Sequence, residues 1–92
     1  METVGMTEPV SGARIKRGTK QKVVLEVSPV EKFHSATIEV DGKAFGDPMR
    51  KLSDLVWDTA KLREGERSLV LVVEFKSGRV LRTQPIRVTI SR

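Results

Sequence analysis

His34 is the single histidine in the 92-residue chain, and any hydrolytic triad would need it as the base. Its neighbour Ser35 points to the opposite face of a strand, so the two do not assemble a nucleophile and its base. No second histidine and no cysteine exist, so a metal site of nitrogen or sulfur ligands lacks members. Asp41, Asp47, Asp54 and Asp58 could meet around calcium. Their spacing matches no D-x-D-x-D-G loop, and they read instead as turn caps and solubilising groups. Gly42, Gly46, Gly65 and Gly78 fall at turn positions and compose no phosphate-cradling loop. The residue types therefore offer no catalytic set, no metal ligands and no cofactor site, and the chain reads as non-catalytic.

Charge is the one property with a pattern. Seventeen Lys and Arg against twelve Asp and Glu give a formal net charge of +5. Residues 1–22 hold five bases and two acids, residues 23–75 seven bases and ten acids, and residues 76–92 five bases and no acid. The two ends are thus basic and the middle slightly acidic. A basic surface attracts anionic polymers, lipid headgroups or nucleic acid. Nucleic acid is the least favoured of these, because stacking on bases needs surface aromatics. The four aromatics, Phe33, Phe45, Trp57 and Phe75, are all claimed by the core pattern.

The elements that would position these groups are strands. Val23, Leu25 and Val27 alternate with polar or outward residues, as do Ala36, Ile38 and Val40. The same holds for Leu55 and Trp57, for Leu69, Leu71, Val73 and Phe75, and for Ile86, Val88 and Ile90. A period of two over such lengths marks half-buried strands. Ser28-Pro29, Gly65 and Ser77-Gly78 punctuate the runs, and Asp41-Gly42 sits where a type I′ hairpin turn is wanted. Residues 58–64 are too short for a packed helix and read as a single turn. Short strands between turns predict one antiparallel sandwich or small barrel. A chain of this length holds one core only.

Residues 1–7 show no periodicity and are expected to be disordered, leaving a single domain over 8–92. No apolar run of about 18 residues exists, so nothing spans a bilayer, and METVGMTEPV does not have the form of a signal peptide. There is no Asn, only two Gln, and 32% of residues are charged. That composition points toward a thermophilic source.

The middle of the chain carries a longer pattern. ATIEVDGKAFGDP is followed by LVWDTAKLREGERSLVLVVEFKSGR and then by QPIRVTI. Over about residues 10–91 this resembles the bacterial immunoglobulin-like domains of cell-surface and secreted proteins. The matching positions are Ile38, Val40, Asp41 and Gly42; Trp57, Asp58, Thr59, Leu62 and Gly65; Leu69, Leu71 and Val73; and Pro85, Ile86, Val88 and Ile90. Arg67-Ser68 stands where that family has His or a small polar residue.

The resemblance implies an all-β, immunoglobulin-like antiparallel β-sandwich of about seven strands. These fall near 7–17 (split), 21–28, 35–41, 43–46, 51–58, 66–75 and 79–91. Trp57 becomes the filler between the sheets. Phe33 plugs one end with His34 in a loop beside it, Phe45 packs behind the hairpin turn, and Leu62 closes the bottom of the core. Asp58 and Thr59 satisfy turn amides. The implied role is a spacer or docking module within a larger extracellular or cell-surface protein, with neighbouring domains or another protein as partners.

In such a topology the first strand lies beside the last. Arg14, Lys16, Arg17 and Arg87 would then share one basic edge, which either blocks sheet-to-sheet aggregation or binds an anionic cell-wall polymer or polysaccharide. Val70 and Val72 would point outward from the middle of a sheet, as would Val24 and Val56. The pair Val70 and Val72 forms a candidate interdomain contact.

Overall fold

The structure, a computed structural model, describes all 92 residues. Ten strand segments follow one another: β1 Thr3–Glu8, β2 Arg14–Lys16, β3 Lys20–Lys22, β4 Val24–Ser28, β5 Phe33–Val40, β6 Lys43–Met49, β7 Val56–Asp58, β8 Gly65–Phe75, β9 Val80–Arg82 and β10 Ile86–Ser91. They make seven passes along the sandwich, because the first pass (β1, β2), the second (β3, β4) and the last (β9, β10) are each broken in two. The larger sheet has the order β2-β10-β8-β5-β6, with β9 also paired to β8. The opposite layer is built from the pairs β1-β4 and β3-β7, which share the second pass. Val23, between β3 and β4, donates its N–H to the Leu55 carbonyl at 3.0 Å and so ties the two pairs together.

The inward phases of the strands fill the space between the layers. Ala36, Ile38 and Val40 of β5, Leu69, Leu71, Val73 and Phe75 of β8, and Val88 and Ile90 of β10 are buried. Leu55 and Trp57 meet them from the other layer, and Trp57 is 0% exposed. Ile15 and Leu62 close two margins of the same cluster. Phe33 and Phe45 are only half-buried and pack against it from outside. The aromatics are therefore not all consumed by the core, as the sequence reading had them.

Several expectations change in the structure. Residues 1–7 are not an unstructured tail. Thr3–Glu8 form β1, with Val4 opposite Val27 and Met6 opposite Leu25, and Val4 and Met6 pack onto the core from the edge. The alternation of just two apolar residues about Gly5 is too short to register as a period. The pairing of β2 with β10 is parallel, whereas every other pairing is antiparallel, because the first pass changes sheets after Pro9. The pass foreseen at 51–58 opens with a 3₁₀ turn at Leu52–Asp54, and only Val56–Asp58 is strand. The last pass breaks at Gln84-Pro85, since proline has no N–H for the ladder. β5 begins at Phe33, so His34 is a half-buried strand residue rather than a loop residue.

β6 runs on to Met49 by way of a bulge. Ala36 pairs with Met49 and Ile38 with Phe45, so Thr37 alone faces residues 46–48. Gly46, at φ 83°, makes the bend. The Asp41-Gly42 turn is as the sequence predicts. Val40 pairs with Lys43, and φ is 52° at Asp41 and 84° at Gly42, the signature of a type I′ turn. A Cβ added at Gly42 would meet nothing within 4 Å, so the cost of a side chain there is purely conformational. Gly42→Val is expected to lower the unfolding free energy by about 1–2 kcal/mol. An unchanged urea midpoint would contradict the turn.

Candidate functional site

The basic edge assembles from the first and last passes. Arg14, Ile15 and Lys16 lie opposite Thr89, Ile90 and Ser91. Three backbone bonds bracket the pairing: Gly12 N–H to the Arg87 carbonyl at 2.7 Å, Thr89 N–H to the Ala13 carbonyl at 2.9 Å, and Arg17 N–H to the Ser91 carbonyl at 2.6 Å. Ile15 and Ile90 point inward and are buried, so by alternation Arg14, Lys16 and Arg87 face out from the same side of the sheet. Arg14, Lys16 and Arg17 have no acidic partner. Arg87 does, with Nη1 lying 3.7 Å from Glu66 Oε2 on β8. Both side chains are well exposed, so that pair adds little stability. It does dilute the like-charge repulsion that four clustered cations would otherwise create. β2 is also the free margin of its sheet, where Lys and Arg oppose edge-to-edge association.

Val70 and Val72 occupy the outer face of β8. Val70 lies opposite Glu39 of β5 and Val72 opposite Arg82 of β9. Arg82 and Glu39 form an ion pair, and their strands flank β8 on its two sides, so the pair spans β8 between the valines. Both valines are half-buried, partly beneath their own neighbours. The aliphatic stem of an arginine covers apolar surface well. Val24 is half-buried as well, and Val56 is the most open of the four at 43% exposed.

The aspartates serve the fold. Asp58 Oδ1 accepts the Ala60 N–H at 3.0 Å, an Asx turn. Asp41 does more than turn a hairpin. Its Oδ1 accepts the Ser68 N–H at 2.9 Å, and its own N–H donates to the Ser68 carbonyl at 2.9 Å. It thereby extends the β5–β8 ladder one step beyond the strand. Asp47 and Asp54 are exposed, and no three His, Cys, Asp or Glu side chains converge on a point that could hold a metal ion.

Three side chains have roles that the sequence reading missed in whole or part. Thr59 is fully buried. Its hydroxyl donates to the Thr19 carbonyl at 2.8 Å and accepts the Gly18 N–H at 3.1 Å, so it fastens a turn 40 residues away rather than its own. Thr83 is buried where the last pass leaves β8, and its Oγ1 accepts the Leu71 N–H at 2.9 Å. Arg67 continues the inward phase of Leu69 and Leu71 by one step. That period of two was the available signal. Its guanidinium donates to the carbonyls of Arg63 at 3.1 Å and Glu64 at 3.4 Å and lies 3.5 Å from Asp41 Oδ2. It ties the 63–66 loop to the hairpin, which histidine could not do with so many donors.

No protein-family model matches the chain, and no curated protein is similar to it. Solved structures are similar in fold. One is described as fibronectin(III)-like modules of CbhA from Clostridium thermocellum. The two share 15% identity over 97% of this chain and 96% of that one, with a TM-score of 0.74. Another is the endo-beta-1,4-mannanase from Thermotoga petrophila, at 20% identity and a TM-score of 0.73. The whole of this chain matches 20% of that enzyme's length. At such identities the likeness concerns the fold. The chain is an all-β immunoglobulin-like sandwich.

Proposed function

We propose that the chain is a non-catalytic accessory module, a spacer or docking domain of a larger extracytoplasmic protein of a thermophilic bacterium, and a member of the bacterial immunoglobulin-like family. The observation that carries this is where the backbone enters and leaves the sandwich. Glu2 reaches Ser77 Oγ at 3.3 Å and Arg79 Nε at 3.9 Å, beside the β8–β9 turn. At the other pole Arg92 Nε lies 3.0 Å from Glu64 Oε1, just before β8 begins. The 11 residues of β8 run between these points, along a body 40 Å long and 21 Å across. A module entered at one pole and left at the other sets the separation of whatever flanks it. The likeness to CbhA modules and to one-fifth of a mannanase supports that reading, and the charged, asparagine-free composition supports the thermophilic source.

A second reading is favoured by the basic edge: attachment to an anionic cell-wall polymer through Arg14, Lys16, Arg17 and Arg87. One experiment with two arms separates them. Placed between two folded reporter domains, the module is expected to hold spin labels on its flanks at one narrow separation set by its 40 Å length. A broad distribution would overturn the spacer. The same protein passed over an immobilised phosphate-based wall polymer without uronate units at low salt is expected to flow through. Retention that falls steeply with salt and vanishes in an Arg14→Glu, Arg17→Glu, Arg87→Glu variant would instead establish the edge as a binding surface.

A further inference from the structure

The largest concavity of the molecule, about 560 Å³, lies at the pole where the last strand ends. The β5–β6 hairpin forms one wall with Lys43 and Phe45, residues 61–63 form the other, and Arg67 closes the back. Its volume falls in the range of small-molecule sites. This cleft is separate from the basic edge, whose residues do not line it.

Two features give it a chemistry. The first is charge. Lys43, Lys61 and Arg63 are exposed and have no acidic partner. Arg67, held by the loop carbonyls and 23% exposed, shares the single carboxylate of the cleft, Asp41. Four cations thus face one anion. The Arg67 guanidinium is committed to Asp41 and to the carbonyls of Arg63, Glu64 and Glu66, so it fixes the back wall and leaves Lys43, Lys61 and Arg63 as the free cations. The second is the floor. Leu62 and Val40 are buried beneath it, and half-buried Phe45 stands beside them. Two smaller hollows, of about 210 and 290 Å³, are also lined by Phe45.

A bare phosphate or sulfate would leave the apolar floor unused. Nucleic acid would need several stacking rings, and only one is available. A ligand that joins a carboxylate to an apolar face uses both features, and a pyranose uronate has that form: its C–H face packs on an aromatic ring while its carboxylate pairs with a guanidinium. We propose that the cleft between the β5–β6 hairpin and residues 61–63 binds a hexuronate unit of an acidic polysaccharide, with Phe45 under the sugar ring and the unpaired Lys61 and Arg63 around the carboxylate. This stands independently of the spacer role.

The test is an amide-resolved NMR titration of the full chain with trigalacturonate, the neutral trisaccharide maltotriose, and citrate. Saturable shifts at residues 40–45 and 61–67 with trigalacturonate, and none with maltotriose, are expected. Lys61→Glu with Arg63→Glu, both at exposed positions, should weaken trigalacturonate at least about tenfold. Phe45→Leu, which keeps an apolar filler, should weaken trigalacturonate while leaving the amide spectrum of the free protein in place away from residue 45. Citrate binding as well as trigalacturonate would mean an unselective anion site and overturn the proposal. So would shifts confined to residues 13–17 and 87–91, or a double reversal without effect.

Discussion

Trp57→Ala is expected to lower the unfolding free energy by about 3–5 kcal/mol, a fall in Tm of roughly 15–30 °C for a domain of this size. The warrant is position as much as bulk. Trp57 is 0% exposed and belongs to the three-residue strand β7, which pairs with three-residue β3. Few ladder bonds hold these segments, so the indole packed between the layers is their main anchor. Its removal leaves a cavity that two short strands cannot collapse to fill, and the cost tends to the upper end where a site cannot relax.

Trp57→Phe provides the contrast. The indole Nε1 is buried without a protein hydrogen-bond partner, and burying an unpaired donor is unfavourable. Phenylalanine removes that donor along with some volume, so the two changes oppose. A loss of less than about 2 kcal/mol is expected. Urea unfolding followed by circular dichroism decides both, since the only tryptophan has gone. A Trp57→Ala protein within 1 kcal/mol of wild type, or Trp57→Phe as damaging as Trp57→Ala, would show that the packing is wrongly understood.

How far the sequence discloses this fold depends on the range of the signal. The core of β5, β8 and β10 is legible because Ile38, Leu71 and Val88 each sit within an unbroken period-two run. The hairpin is legible because Asp41-Gly42 is a strong local turn signal. β1 escapes because its stabilisation is non-local: Val4 and Met6 become a strand only against Val27 and Leu25. The parallel pairing of β2 escapes for the same reason, since no local pattern encodes a change of sheet. The basic residues of the edge are visible as charges, and their neighbourhood followed from the family pattern. That Glu66 comes to lie beside Arg87 did not, because the register of β8 against β10 is a tertiary fact. The cleft at the far pole was hidden by the reading of Phe45 as core. Period two gives a residue its side but not its depth, and Phe45 lies on an edge strand where the inward face runs out to solvent.

Thr83 carries the second large effect, and the reason lies in the ladder. Leu71 is fully buried in mid-β8. On the side away from β5 its neighbour is the last pass, which must bend at Gln84-Pro85 to pass from β9 to β10. Thr83 N–H still donates to the Leu71 carbonyl at 3.0 Å. The return bond, which a regular ladder would take from the Leu71 N–H to a backbone carbonyl, goes instead to Thr83 Oγ1 at 2.9 Å. A side chain thus stands in for the strand where proline interrupts it. Thr83→Val keeps the shape and the β-propensity while removing the acceptor, so a buried backbone N–H is left without a partner. A loss of about 2–3 kcal/mol in unfolding free energy is expected. Hydrogen exchange at the Leu71 amide should accelerate more than the global loss accounts for, because the defect is local. Thr83→Ser, which restores the hydroxyl, should recover most of the stability and the protection of that amide. If Thr83→Val unfolds at the wild-type urea midpoint with Leu71 still protected, the backbone of the last pass supplies the acceptor itself and the threonine bridge is not what closes the sheet.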